Sequence, residues 1–503
     1  MIKKNIHPVM GFLILTFITI ILSAVLNILD ITTTEYKINS TTLEYSTETL
    51  KINNLLSFNG AKYIFSETVS NFVNFTPFST FIIILISFGV MEKSGFLESA
   101  ITFITKMMKK NTVTFLIVFL SVIGSILGDI SFVILLPLSA LIFKYGRRNP
   151  LIGIIASYAG LTCGQGLSII FTSVDSSLLS VSLTAARVID PAYRMASISG
   201  LFIMLVASVI MSFIITRITE KNVSPLFVSK EKNDEEEKIL TRKEIRGLLF
   251  AVFAGLIYII IFIYNIIPSL PFGGNLLDNS QVLYVDKLFS YNSFFSKGFV
   301  FIVAIFFITL GLFYGIGSHK FKNELDFVDS LGYSLDNVGN TIVLIFMASF
   351  FISVFKYSNL GSVITASLAN ILRLVKLQGI PLILALVIIT AISTLVFPAS
   401  VSKWYIISPI AIPIFLNAGI TPEFTQVIFR FSECITFGLT PVMAYFVIYL
   451  AILNKNSDET IGIYNAIRYI FPYIGWTAII LISLLIIWYI SGIPIGINGI
   501  TVL

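Results

Sequence analysis

Long apolar runs separated by short polar connections set the plan of this chain. A helix needs roughly 20 apolar residues to cross a ~30 Å hydrocarbon core. Runs that meet this length lie at about 9–29, 76–92, 150–185, 195–216, 247–267, 298–316, 338–356, 424–453 and 469–490. The runs at 150–185 and 424–453 are overlong, and each holds a Gly-containing interruption. Two more, 112–143 and 380–417, are too long for one crossing and break near the middle, at Gly128-Asp129 and at Phe397-Pro398-Ala399-Ser400.

Basic residues decide how the broken runs are oriented. Lys3 and Lys4 place the N-terminus in the cytoplasm, as do the many Lys and Arg between 217 and 246 for that connection. Lys106, Lys109 and Lys110 precede the run 112–143, and Lys144, Arg147 and Arg148 follow it. Both flanks belong on one side, so this run enters from the cytoplasm and returns there as a re-entrant hairpin. The run 380–417 then enters from outside, although Arg373 and Lys376 near its start cut against that side. The expected fold is an all-α polytopic membrane protein with nine transmembrane helices and two re-entrant hairpins. The N-terminus is cytoplasmic, the C-terminus outside, and the run at 9–29 is a retained span rather than a cleaved signal. The expected divisions are a first span and soluble external loop or cap (1–75), a first repeat (76–220), and a charged cytoplasmic linker (221–246). A linking span and external loop (247–297), a second repeat (298–468) and a last span (469–503) complete the chain.

Composition agrees with lipid as the main solvent. Of 503 residues 56% are hydrophobic and 12% charged, with mean hydropathy +0.93; soluble domains carry about a quarter charged residues. The +6 net charge is explained by cytoplasmic loops near anionic headgroups and implies no nucleic acid. Cys163, Cys434, His7 and His319 have no spacing suited to a disulfide framework or a metal site. No cofactor is expected.

The halves resemble each other. A shift of 272 positions places Pro137 on Pro409, Ile142 on Ile414, Phe143 on Phe415, Pro150 on Pro422 and Gly166 on Gly438. Each half reads hairpin tip, returning helix with Pro, turn, Pro-started helix, then a break: Leu161-Thr-Cys-Gly-Gln-Gly-Leu-Ser168 and Ile435-Thr-Phe-Gly-Leu-Thr-Pro441. Opposite entry sides make this an inverted repeat, and broken helices meeting hairpin tips at mid-membrane are how secondary transporters build a site. Free N–H groups at a break suit an anion. Gly164, Gly166, Gly438, Ser400 and Ser402 are therefore candidates for substrate, and Ser168 and Thr436 for a coupling ion.

Charges at bilayer depth cost at least ~2.5–3.5 kcal/mol, so few persist without a role. Asp129 lies at the first tip, Asp175 after the first break, Lys403 at the second tip, and Arg430 with Glu433 before the second break. Arg430 and Glu433 are three apart on one helix and can pair; alternatively Arg430 grips a substrate carboxylate through its planar fork, or relays protons with Glu433. Asp129 either caps a half-helix or joins Asp175 and Glu433 in ion coupling, and Asp175 can equally be a solvated residue near the outer surface. Lys403 binds substrate or snorkels to water. Trp404 is a packing aromatic or a stacking face for an aromatic ligand.

At these residues the chain resembles the p-aminobenzoyl-glutamate transporter (AbgT) family. The resemblance covers nearly the whole chain and is densest in Gly128–Phe143, Arg148–Gly153 and Ala185–Pro191. A second block holds Ser402-Lys-Trp404, Pro409, Pro413, Thr421-Pro-Glu-Phe-Thr-Gln426, Arg430 and Thr440-Pro441. It implies nine spans, two hairpins and a homodimer with a bowl facing the cytoplasm in the inner membrane. It also implies transport of p-aminobenzoyl-glutamate or p-aminobenzoate, with efflux of sulfonamide-like drugs in some members, and roles for Asp175, Trp404, Pro422 and Arg430. Ser168, Thr394 or its neighbours, Glu433 and Phe437 depart from the Asn, Asn, Asp and Asn of the family pattern. Losing those amide carbonyls shifts the expected coupling from sodium toward protons.

Three other readings fit less well. An intramembrane aspartyl protease would need two facing Asp motifs, and Leu127-Gly-Asp129 supplies half of one; the chain is read as no enzyme. A passive channel would not need paired hairpins. An ion-coupled di- or tricarboxylate transporter would not need Trp404 beside Lys403 and Arg430, which favour a small aromatic carboxylate.

Overall fold

The computed structural model describes residues 6–502, apart from 168, 197, 228–239, 291 and 337. α1 (Pro8–Ile28) leads into an antiparallel hairpin of β1 (Thr32–Ile38) and β2 (Tyr45–Lys51), followed by α2 (Phe58–Val73), α3 (Thr76–Ser94) and α4 (Phe96–Met107). The first hairpin is α5 (Lys110–Val122) and α6 (Ile130–Tyr145), joined by a 3-10 turn at Ile123–Leu127. α7 (Pro150–Cys163) and α8 (Ser173–Arg187) are halves of one broken helix, followed by α9 (Leu201–Ile218), α10 (Arg242–Ile266) and the short α11 (Tyr284–Phe289). Then come α12 (Phe294–Ser318), α13 (Glu324–Tyr333), α14 (Gly339–Tyr357) and α15 (Leu360–Leu374). α16 (Gly379–Val396) and α17 (Ser400–Asn417) form the second hairpin. The second broken helix is α18 (Pro422–Thr436) with α19 (Phe446–Lys455), and α20 (Ile463–Arg468) and α21 (Phe471–Ser491) close the chain.

Eight helices among the described residues are long and apolar enough to cross a membrane. The difference from the nine expected crossings has a local cause. The breaks cut 150–185 and 424–453 into halves too short to qualify, while α16, one arm of a hairpin, is long enough. α10 and α12 pack on each other and turn Leu249 (65% exposed), Phe253 (68%) and Phe301 (62%) outward, a surface that only lipid solvates well.

Both hairpins fold back on themselves. At the first tip a Cβ on Gly124 would lie 3.0 Å from Leu135 and 3.4 Å from Ser131 of the returning arm, and Gly128 takes φ +62°, a conformation glycine adopts without strain. At the second tip Lys403 Nζ donates to Thr394 Oγ1 across the turn at 2.6 Å. Pro starts both broken helices because N1 needs no N–H. Asn149 Oδ1 accepts from Leu151 N at 2.9 Å ahead of α7, and Thr421 Oγ1 accepts from Phe424 N at 3.2 Å ahead of α18.

The segment 31–75, expected as a soluble loop or cap, is the β-hairpin plus α2. α2 exposes Phe58 (84%), Phe65 (87%) and Val69 (71%), an apolar face suited to a membrane interface rather than to water. The β-hairpin packs on α15 and α17. Arg373, whose position seemed anomalous, lies over the Tyr36 ring 4.4 Å from its centre, so its cation is held by that cap. Pro413 has no N–H to give the carbonyl of Pro409 one turn earlier; Tyr45 OH donates to that carbonyl instead, at 3.2 Å. Of the charged linker expected at 221–246, residues 228–239 lie outside the described residues; 221–227 continue α9 in helical turns, and Thr241 and Glu244 form a capping box where α10 begins.

Candidate functional site

The two hairpin tips meet at one cavity of about 570 Å³, lined by Asp129 and Phe132 of the first and by Phe397, Ser400 and Ser402 of the second. Gln165 of the first break, Phe437 and Tyr445 near the second, and Lys356 of α14 complete the parts relevant here. Asp129 precedes α6 but makes no side-chain capping bond. Ala399 precedes α17, also with no side-chain cap, so the first-turn N–H groups of α17 meet the cavity without an internal acceptor.

The breaks interlock. A Cβ on Gly166 would fall 2.2 Å from the Arg430 carbonyl oxygen and 3.0 Å from Cys434 Sγ. A Cβ on Gly438 would fall 2.7 Å from Thr162 Oγ1, and Tyr158 OH donates to the Gly438 carbonyl at 3.1 Å. Adding 272 converts 158, 162 and 166 into 430, 434 and 438, so each glycine rests on the equivalent helix of the other half. Gly164 is as tightly seated, with its Cβ position 2.8 Å from Val122 Cα.

Beside this crossing runs a chain of four buried charges. Lys403 Nζ lies 2.8 Å from Glu433 Oε1, Glu433 Oε2 lies 3.5 Å from Arg430 Nη1, and Arg430 Nη2 lies 3.6 Å from Asp175 Oδ1. Arg430 Nη2 also donates to the Gln165 carbonyl at 3.0 Å, which ties the second broken helix to the free backbone of the first. Lys403 and Glu433 are fully buried and Arg430 is 2% exposed. Lys403 therefore does not snorkel to water; its ammonium is enclosed by Glu433, Thr394 and the Phe429 ring.

Sequence reasoning expected free N–H groups at the first break, but the start of α8 is capped from within. Thr172 N and Thr172 Oγ1 donate to Asp175 Oδ2 at 3.0 and 2.7 Å. Asp175 is thus neither solvated nor idle: one oxygen caps its own helix and the other faces Arg430. Trp404 is fully buried, packs on Phe429 at 4.4 Å between ring centres, and donates from Nε1 to Ser182 Oγ at 2.9 Å. It lies off the cavity. Pro422 starts α18, and Thr436 Oγ1 donates to the Ala391 carbonyl at 2.7 Å, binding α18 to α16. Ser168 lies outside the described residues. Gln165, Tyr158 and Ser182 were missed as candidates, and Thr394 was noted only as a departure from the family pattern; the 272-residue shift from Arg430 leads to Tyr158, and Gln165 stands between the two glycines of the break.

A helical bundle with a lipid-facing surface, two hairpin tips sharing a cavity and a buried ion-pair chain beside crossed broken helices defines a membrane transporter. The chain belongs to the AbgT family of transporters, whose sequence profile matches residues 3–503. It is 25% identical to the p-aminobenzoyl-glutamate transport protein of Escherichia coli (strain K12) over 98% of this chain and 94% of that protein. Among solved structures it is similar to MtrF of Neisseria gonorrhoeae, described as illuminating a class of antimetabolite efflux pumps, at 25% identity with TM-score 0.51 over 99% of this chain and 98% of that one. The Alcanivorax borkumensis YdaH transporter has 25% identity and TM-score 0.49, over 98% of this chain and all of that one. Family and relatives are transporters, not enzymes.

Proposed function

We propose that this protein is a secondary active transporter of small aromatic carboxylates, of the kind represented by p-aminobenzoyl-glutamate and p-aminobenzoate, with efflux of sulfonamide-like drugs that mimic p-aminobenzoate. It works in the inner membrane as a homodimer of inverted-repeat protomers with nine crossings and the N-terminus in the cytoplasm. The observation that carries this reading is the cavity between the tips. Phe132, Phe397, Phe437 and Tyr445 offer faces for an aromatic ring, and the uncapped start of α17 with Lys356 offers one place for a carboxylate. A tricarboxylate would need several cations there, and among the described lining residues Lys356 is the one basic side chain.

Coupling follows from charge balance. Asp175, Arg430, Glu433 and Lys403 sum to zero, so a substrate carboxylate approaching this chain adds an uncompensated charge in a low-dielectric region. A proton on Glu433 or Asp175 restores neutrality and frees Arg430 to hold the carboxylate by two parallel hydrogen bonds. Lys403 already supplies the cation beside Glu433, which favours a proton over sodium. The reciprocal glycine seats support two halves that rock about the crossed breaks.

The test is uptake of radiolabelled p-aminobenzoate and p-aminobenzoyl-glutamate into proteoliposomes under an imposed proton or sodium gradient. Accumulation under the proton gradient, abolished by Arg430→Ala and little restored by Arg430→Lys, is expected. No movement of either compound, with citrate moving instead, would replace this reading by the tricarboxylate one.

A further inference from the structure

Besides the main cavity there is a small pocket of about 50 Å³ where α8 meets α18, lined by Asp175, Leu179, Glu423 and Gln426. Asp175 joins it to the ion-pair chain, whose other end lies at the second hairpin. Three side chains tie its α8 and α18 walls to that hairpin. Trp404 of α17 donates from Nε1 to Ser182 Oγ of α8 at 2.9 Å, and Ser182 Oγ donates to Gln426 Oε1 of α18 at 2.8 Å. The single hydroxyl of Ser182 accepts one bond and donates the other, so a fully buried serine holds three elements in one arrangement. Tyr193 OH donates to Glu423 Oε2 at 2.8 Å on the rim.

We propose that Trp404, Ser182 and Gln426 form the latch of a second access route, running from the small pocket past Asp175 to the second hairpin and fastened in this structure. Ser182 and Gln426 are positioning residues: they hold the second hairpin against α8 and α18, and passage toward the Asp175 side requires the indole to leave Ser182. This rests on the alternating-access reading above and deepens it. Trp404 then serves gating from behind the cavity and is not a stacking face for substrate.

The test needs no substrate. Val427→Cys places a thiol on a buried wall of the small pocket, and its labelling rate by a small water-soluble maleimide reports how often that pocket opens; Cys163 and Cys434 are buried, and protein without Cys at 427 gives the blank. Ser182→Ala, which removes both bonds, should speed labelling by about five- to tenfold, the range for losing a buried hydrogen bond or two. Gln426→Leu, which removes one, should speed it less, and serves if Ser182→Ala does not fold. Labelling unchanged in a folded variant of either kind would overturn the latch. Failure of the radiolabelled compounds to move would refute the substrate reading and leave these rates unaffected.

Discussion

Consider replacing Lys403 by Met. The ammonium is fully buried and 2.8 Å from Glu433 Oε1, and at an effective dielectric near 20 such a contact carries about 6 kcal/mol of attraction before desolvation is set against it. Deleting one member of a buried pair typically costs ~3–5 kcal/mol because the other charge stays stranded. Arg430, 3.5 Å away on the opposite oxygen of Glu433, softens this, so a loss on the order of 3 kcal/mol is expected. Lys403→Met with Glu433→Gln removes both charges, leaves Asp175 facing Arg430, and should return stability to within ~1 kcal/mol of the unaltered protein. The assay is thermal unfolding of detergent-purified protein followed by size-exclusion chromatography, with transport of both variants in proteoliposomes. The single variant should melt several degrees early; the double should melt normally and, with Glu433 rather than Asp175 as the proton carrier, no longer respond to a proton gradient. A single variant as stable as the unaltered protein, or a double no better than the single, would refute the energetic reasoning. A stable double that still couples to protons would remove Glu433 from coupling.

Other outcomes follow from geometry. Gly166→Ala pushes a methyl into the Arg430 backbone at 2.2 Å and should cost several kcal/mol and transport together. Gly438→Ala meets a side chain, Thr162, so pairing it with Thr162→Ala should restore much of its stability, measured as melting temperature. Hydroxyls of Ser280 and Ser290 hold the Asp278 carboxyl down to about 2. Because the folded value lies below the ordinary 3.8, this group steadies its loop above that pH and the contribution is lost as pH falls toward 2. Pepsin nicking between 267 and 293 should therefore rise as pH falls from 4 to 2, and Asp278→Ala should nick readily at pH 4. Cysteines at 106 and 147 should be labelled by an impermeant reagent from one and the same face of the membrane.

The sequence displays what is encoded locally. Lysines on both flanks marked the first hairpin, Gly164, Gly166 and Gly438 marked the breaks, and three-residue spacing allowed Arg430 and Glu433 to pair, as they do at 3.5 Å. Contacts between distant segments leave no period to read. Lys403 meets Glu433 thirty positions on, and Arg430 meets Asp175 across 255, only because α17, α18 and α8 pack together. For the same reason Trp404 stayed open between a packing aromatic and a ligand face: nothing near it in the chain announces Ser182. Asp175 was ambiguous because its place after the first break fits both ion coupling and a solvated position near the outer surface.

The bond from Tyr45 to the Pro409 carbonyl also fixes an order of events in biogenesis. Its partners are 364 residues apart, so at ~5–20 residues per second the ribosome reaches Pro409 about 20–70 s after Tyr45. Through that interval β1 and β2 stand without α15 and α17, as a two-stranded ribbon too small to be stable alone. The early segment must wait, exposed to proteases and to pairing with strangers, for a proline-made vacancy synthesised near the end of the chain. Truncated chains stopping before 409 should therefore be cleaved within 30–57, and full-length ones spared.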